Sequence, residues 1–243
     1  MQTWIVKRVA SYLSGQLNTT VSVDAVAIDF FSKVRLNGIL IKDLKNDTLL
    51  QANEITALID FFAPSENKIY LSEVSIKKGI VKIQRYGKEK EYNIDFLIHY
   101  FSPAQKDTSA KKFDFNPGEI RLENMIFVYR DHRYNDKSTG IDFDDLRLEH
   151  LDASVSEIKP DSSGLLAKID NLSFVERSGF KVDYLESIAY LSYEGSTFDE
   201  VLIKTPFSNI NCDLKFKYDS LDDLSEFITK VRIESDFQEC ELD

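Results

Sequence analysis

The chain has 243 residues, 43% of them apolar and 12% aromatic, enough to bury a large core as one long domain or two small ones. Its formal net charge of −11 argues against nucleic acid as a partner and against docking on anionic lipid headgroups, since both call for basic patches. Nine glycines and five prolines leave little material for long flexible linkers, and no window approaches the roughly 20 apolar residues of a membrane span.

Residues 3–17 read as a helix. Trp4, Ile5, Val9, Tyr12, Leu13 and Leu17 recur at helical spacing, and Thr3 is a natural N-cap. Lys7 and Arg8 interrupt the apolar run too early for a signal peptide. The helix suits the end of a sheet, and residues 1–20 are set apart from a repetitive β segment over 21–243. From Val21 the period falls to two. Val21 and Val23, then Val26, Ile28 and Phe30, alternate with polar or small residues, with a shift near Ala25. A turn is predicted at KNDT, then a strand with Ile55, Ala57 and Ile59 on one face, then another through KIYLSEVSIKKGIVKIQR, with YGKEKE as a hairpin tip.

NIDFLIHYF predicts a short helix, with Asn93 as its cap and Pro103 as its stop, and SPAQKDTSAKK a polar loop. Residues 113–158 read as two strand pairs around a tip at DHRYNDKSTG. Residues 165–216 continue as strands with turns near RSG, EGST and TPFS. SLDDLSEFITK reads as a helix opened by a capping box at Ser220 and Asp223. VRIESDFQECELD is strand-like, and it stops partway through what reads as another repeat, the pattern of a segment of a longer protein.

A ten-residue phrase recurs four times: VRLNGILIKD from Val34, VSIKKGIVKI from Val74, IRLENMIFVY from Ile120 and AKIDNLSFVE from Ala167. The starts are 40, 46 and 47 residues apart. Two apolar or small residues flank one polar residue, mostly polar or small positions follow, and a second apolar cluster closes the phrase. A unit of fixed period that pairs with its neighbours points to a long repetitive sheet. The fold class is therefore mainly β: an elongated, curved antiparallel sheet, open like a taco, with an N-terminal helix and two short helices. A closed barrel or sandwich would bury the same residues and is the competing architecture.

Residues with catalytic chemistry form no constellation. His99, His132 and His150 lack a second histidine at ligand spacing. Asp142, Asp144 and Asp145 lack the glycine and terminal glutamate of a calcium loop and read as a solvated strand edge. Ser178 and Lys181 form an isolated SxxK in a turn, and no GxSxG, P-loop, GxGxxG or CxxC is present. Cys212 and Cys240 read as small buried residues of strands. No enzymatic activity, metal or cofactor is predicted.

The stretch DTLLQANEITALIDFFAPSENKIYLSEVSIKKGIVKIQR resembles the N-terminal region of the TamB and AsmA-like family, in particular its Bacteroidetes-type members. The parts that match are Ile59-Asp60-Phe61-Phe62, Asn67-Lys68-Ile69 and the phrase Val74 to Ile83. YNIDFLIHYFSP and the passage from IRLENMIFVYRDHRYND to GIDFDDLRLEHLDASVSEI extend the likeness over about residues 2–237. The resemblance implies a periplasmic protein anchored to the inner membrane by a helix that would precede Met1. It implies a part in outer-membrane biogenesis: a β-groove, similar to bridge-like lipid transfer proteins, along which phospholipid acyl chains move between the membranes. The implied partner is an outer-membrane barrel protein of the TamA or BamA kind, and the alternative role is a β-sheet interaction module that aids barrel assembly or secretion. On this reading the groove floor is built from the repeated positions Val34, Leu36, Val74, Ile76, Val81, Ile83, Ile120, Leu122 and Phe127.

Overall fold

A computed structural model describes residues 10–11, 14–15, 17–29, 32–63, 68–97, 114–134, 140–161, 163–220, 223 and 227–242. Among these residues twelve strands form one sheet. They are β1 (Val21–Asp29), β2 (Lys33–Lys42), β3 (Thr48–Ala63), β4 (Lys68–Arg85), β5 (Asp114–Asn116), β6 (Glu119–Asp131), β7 (Asp145–Pro160), β8 (Gly164–Glu176), β9 (Lys181–Ser192), β10 (Gly195–Thr205), β11 (Ser208–Lys217) and β12 (Arg232–Leu242). Neighbours in sequence are neighbours in space, and they pair antiparallel, with one exception. β5 and β6 lie end to end beside β4 and run parallel to it.

That parallel joint corrects one expectation. YGKEKE is not a hairpin tip, because the chain that leaves β4 returns alongside it in the same direction. Parallel neighbours require a crossover of a dozen or more residues, which the long segment between β4 and β5 supplies. The other turns lie where their residues predict them, at KNDT, RSG, EGST and TPFS, and β6 and β7 pair across DHRYNDKSTG. Of the expected helices, residues 10, 11, 14, 15 and 17, residues 95–97 and Phe227–Lys230 are helical, and the remaining positions lie largely outside the described residues. Asn93 does not cap a helix. Its side-chain oxygen accepts the Gln84 N–H at 2.8 Å and its amide donates to Asp43. One half of the predicted capping box is present, since Asp223 accepts the Ser220 N–H at 3.0 Å.

The repeated phrase has a backbone meaning. Its fifth residue is Gly38, Lys78 and Asn124 in the first three copies, and each has a left-handed φ, of 59°, 51° and 49°. A left-handed residue inside a strand bends it and interrupts the alternation of faces. Apolar residues at positions one and three of the phrase therefore share a face with those at six and eight. Val34, Leu36, Ile39 and Ile41 accordingly pack in one cluster with Val23, Val26 and Ile55. The shift read near Ala25 on β1 lies opposite Gly38, where Val23 and Val26 share one cluster, and His150 and Glu200 carry left-handed φ on β7 and β10. Together these positions trace a seam across the sheet. Aspartates on neighbouring strands hold it: Asp152 accepts the Asn124 N–H and Asp213 the Glu200 N–H, each at 2.8 Å.

Copies two and three sit side by side in register, with Val74 opposite Ile120, Ile76 opposite Leu122 and Val81 opposite Phe127. Copy one reaches copy two through β3, as Leu36 to Ile55 to Ile76. The fourth copy slips: Ile169, not Ala167, continues the row from Ile120 through Val155.

The sheet is a single layer. Among the described residues, the substantial contacts between elements all join strands adjacent in the sheet. The accessible surface of 15446 Å² exceeds the roughly 11,000 Å² of a compact monomer of this size. Burial peaks beside the seam, where Ile39, Ala52 and Met125 are at most 3% exposed.

Candidate functional site

One face of the sheet is apolar from end to end. A single row crosses it through direct cross-strand partners: Val26, Leu36, Ile55, Ile76, Leu122, Ala153, Leu172, Leu185, Ile203, Ile210 and Cys240. Partners directly opposite in a ladder share a face, so the row is one stripe. At about 4.8 Å per strand, ten steps give about 48 Å. A second row runs Ile28, Val34, Ala57, Val74, Ile120, Val155 and Ile169. Across the seam, Ile41, Leu50, Val81, Phe127 and Leu148 form a third, and Ile83 lies beside Tyr129.

All nine sequence-predicted groove residues lie on this face, and all are half-buried. The phrase's second apolar cluster, however, divides. Ile41, Val81 and Phe127 join the stripe, whereas Ile80 and Ile126 point to the opposite face, where they line a depression of about 440 Å³ with Gln51, Asn53, Lys78, Asn124, Glu149 and His150. That opposite face is charged. Its ion pairs run between neighbouring strands: Lys77–Glu123 at 2.7 Å, Arg121–Glu73 at 3.4 Å and Lys217–Glu234 at 2.7 Å.

At the end of β4 and β6 the apolar face meets a buried polar network that the sequence reading missed. Arg85 and Asp131 are cross-strand partners, both at most 1% exposed, with 3.8 Å between Nη1 and Oδ2. Arg133 adds two bonds to the same carboxylate, Nε to Oδ1 at 3.0 Å and Nη2 to Oδ2 at 2.7 Å. Burial pushes the Asp131 carboxyl up, but the Arg133 bonds and the Arg85 charge outweigh it and hold it below the usual carboxylate range. The Tyr92 ring lies 4.2 Å from the Arg85 guanidinium, and its hydroxyl is 3.2 Å from that of Tyr129. Asp43 accepts hydrogen bonds from the Tyr86 hydroxyl at 2.6 Å and from Asn93 at 3.1 Å. Burial first, then Asp43, raises the Tyr86 pKa. These contacts fasten the start of the crossover to the sheet. An alternating polar and aromatic run, RYGKEKEYN, is the only signal for them in the sequence.

The remaining described candidates bond to neighbouring residues of the sheet. His132 bonds Gln84 at 3.1 Å and stacks on Tyr86, His150 approaches Asn124 at 3.3 Å, and His99 lies outside the described residues. The aspartates of IDFDDLRLEH do not form a solvated edge. Asp142 is 2% exposed and accepts the Asp144 N–H, and Asp145 bridges Arg130 at 2.6 Å and Arg177 at 2.9 Å. Lys181 pairs with Asp183 rather than with Ser178. Cys212 is buried, but Cys240 is exposed on the edge strand, where the sequence reading had placed it inside. Among the described residues no group of three or more metal-ligating side chains converges.

No protein-family model matches the chain, and no curated protein matches it significantly.

Proposed function

We propose that the apolar face carries lipid acyl chains. The observation that supports this reading best is the continuous apolar row running through all but the shortest strand, half-buried from Leu36 to Ile210 with no described element packed over it. A soluble monomer rarely leaves an apolar patch of more than a few hundred Å² without a use for it. A sixteen-carbon chain is worth about 0.8 kcal/mol per methylene buried, so covering half of it supplies about 6 kcal/mol. That holds a chain without headgroup chemistry, which suits an acidic protein, and a uniform floor lets it slide. The row's length exceeds that of an extended acyl chain, so several chains fit along it. The continuous apolar face favours this reading over a module that acts only by strand pairing.

The resemblance to the TamB and AsmA-like family supports the finer statement. The cargo is phospholipid moving between inner and outer membranes, in a periplasmic protein held at the inner membrane and working with an outer-membrane barrel of the TamA or BamA kind.

Ile76 and Leu122 are direct partners on the apolar face, and Ile80 and Ile126 are direct partners on the charged one. Ile76→Asp or Leu122→Asp should abolish photo-crosslinking of a diacyl phospholipid, because an unpaired charge on the floor is costly to cover. Ile80→Asp or Ile126→Asp should leave it unchanged. Equal crosslinking in all four variants, with unchanged far-ultraviolet circular dichroism, would sink the assignment.

A further inference from the structure

The depression on the charged face lies where the seam crosses three adjacent strands. Lys78 on β4, Asn124 on β6 and His150 on β7 are left-handed residues, and all three line it. Its volume of about 440 Å³ is within the range of small-molecule sites. We propose that it binds a small carboxylate carried on an apolar body, such as an aryl carboxylate.

The first support is the backbone at Lys78. The recurring phrase places Gly38 at this left-handed position in its first copy, where the conformation costs least, and a lysine in its second. Strained residues of this kind concentrate at ligand sites. Lys77 is matched by Glu123 at 2.7 Å, but among the described residues Lys78 has no hydrogen bond or ion pair.

Charge gives the sign of the ligand. The Glu149 carboxylate, also in the lining, is already bonded by Arg147 Nε at 2.7 Å, and Asp152 behind it is bound to the Asn124 N–H at 2.8 Å. The unmatched charge at the depression is the Lys78 ammonium, in a chain of net charge −11. It calls for an anion.

The rest of the lining gives the ligand its shape. His150 Nδ1 lies 3.3 Å from Asn124 Oδ1, which leaves the Asn124 NH₂ group to donate elsewhere. Gln51 and Asn53 of β3 bring two further amides to the same depression. An ammonium and primary amides match the two oxygens of a carboxylate. Ile80 and Ile126, direct partners on β4 and β6, offer only apolar surface, which suits a hydrocarbon body and gives nothing to an inorganic anion.

The test titrates the 243-residue chain calorimetrically with naphthoate, with naphthalenemethanol, which keeps the body without the charge, and with acetate, which keeps the charge without the body. Naphthoate is expected to bind at least about tenfold more tightly than either. Lys78→Gly, which relaxes the backbone, should weaken naphthoate about tenfold, and Lys78→Arg should retain it. Ile80→Asp should abolish naphthoate binding while phospholipid crosslinking persists, and Ile76→Asp should do the reverse. Naphthoate that does not bind, binds no better than naphthalenemethanol, or binds equally to the Lys78→Gly variant overturns the proposal. So does binding lost in Ile76→Asp and kept in Ile80→Asp, which would place the probe on the apolar face. Each of these outcomes leaves the acyl-chain assignment standing, because that assignment rests on phospholipid crosslinking at the opposite face.

Discussion

Asp152 and Asp213 do the same work on different strands. Each lends a carboxylate oxygen to the N–H of a left-handed residue on the next strand, at 2.8 Å. A charge-assisted bond at an exposed site is worth about 1 kcal/mol. Asp152→Ala and Asp213→Ala are each expected to lower the urea midpoint by that amount, and Asp→Asn by less. Lys78 occupies the same backbone conformation with a φ of 51°. A branched side chain is poorly tolerated there, so Lys78→Val should cost about 2 kcal/mol while Lys78→Gly stays near neutral. The same midpoint measurement checks both. Asp131 makes stability depend on acid. Its folded pKa lies below the ordinary carboxylate value, so its contribution is fully present above about pH 4 and is lost as pH falls from there through the lowered folded value. Asp131→Asn is expected to unfold more easily at neutral pH, because Arg85 loses its buried partner, and to show a shallower loss of stability on acidification.

At the scale of elements, each strand leans almost entirely on its two neighbours. Stability in such an array is close to a sum of nearest-neighbour terms, so the ends open first. Native-state amide exchange should therefore be fastest on β1 and β12 and slowest on β3 through β7. Exchange that is uniform across the sheet would show a single cooperative unit instead. Gly79 illustrates how closely the strands approach: a Cβ there would lie 2.1 Å from the Gln51 carbonyl oxygen. Much of this scale was legible in the sequence. Period-two alternation, the turn residues and the recurring phrase marked the strands, and the break near Ala25 was already visible on β1. The parallel joint was not, because Tyr86-Gly87-Lys88 has the chemistry of a tight turn whichever way the chain then goes. Nor was the seam legible at Lys78 and Glu200, since neither residue type favours the left-handed region. That is why the phrase's second apolar cluster reads as one unit, although the seam turns Ile80 and Ile126 to the charged face. The Arg85–Asp131 pair was hidden too, because strand residues 46 apart in sequence meet only through the crossover.

At the scale of the whole molecule, an open single layer has a thermodynamic signature. Heat capacity and denaturant dependence on unfolding both scale with the surface newly exposed. A compact protein of this length would have a heat-capacity change of about 3 kcal/mol/K. This chain already exposes 15446 Å², and most of the apolar row is only half-buried, so both quantities should fall below the size trend. Filling the face changes that. An acyl chain bound only by the folded sheet raises stability by mass action, and the surface it covers is released on unfolding. Adding a single-chain amphiphile below its micelle concentration is therefore expected to raise the melting temperature, the heat-capacity change and the urea slope together. Ile76→Asp should remove the effect and Ile80→Asp should keep it. A heat-capacity change at the full size value without amphiphile would mean that the face is already covered in solution. Loss of that value on dilution would identify a second copy as the cover, and its persistence would identify the chain itself. Either result would remove the acyl-chain floor, since a face that is covered at rest has no area left to offer.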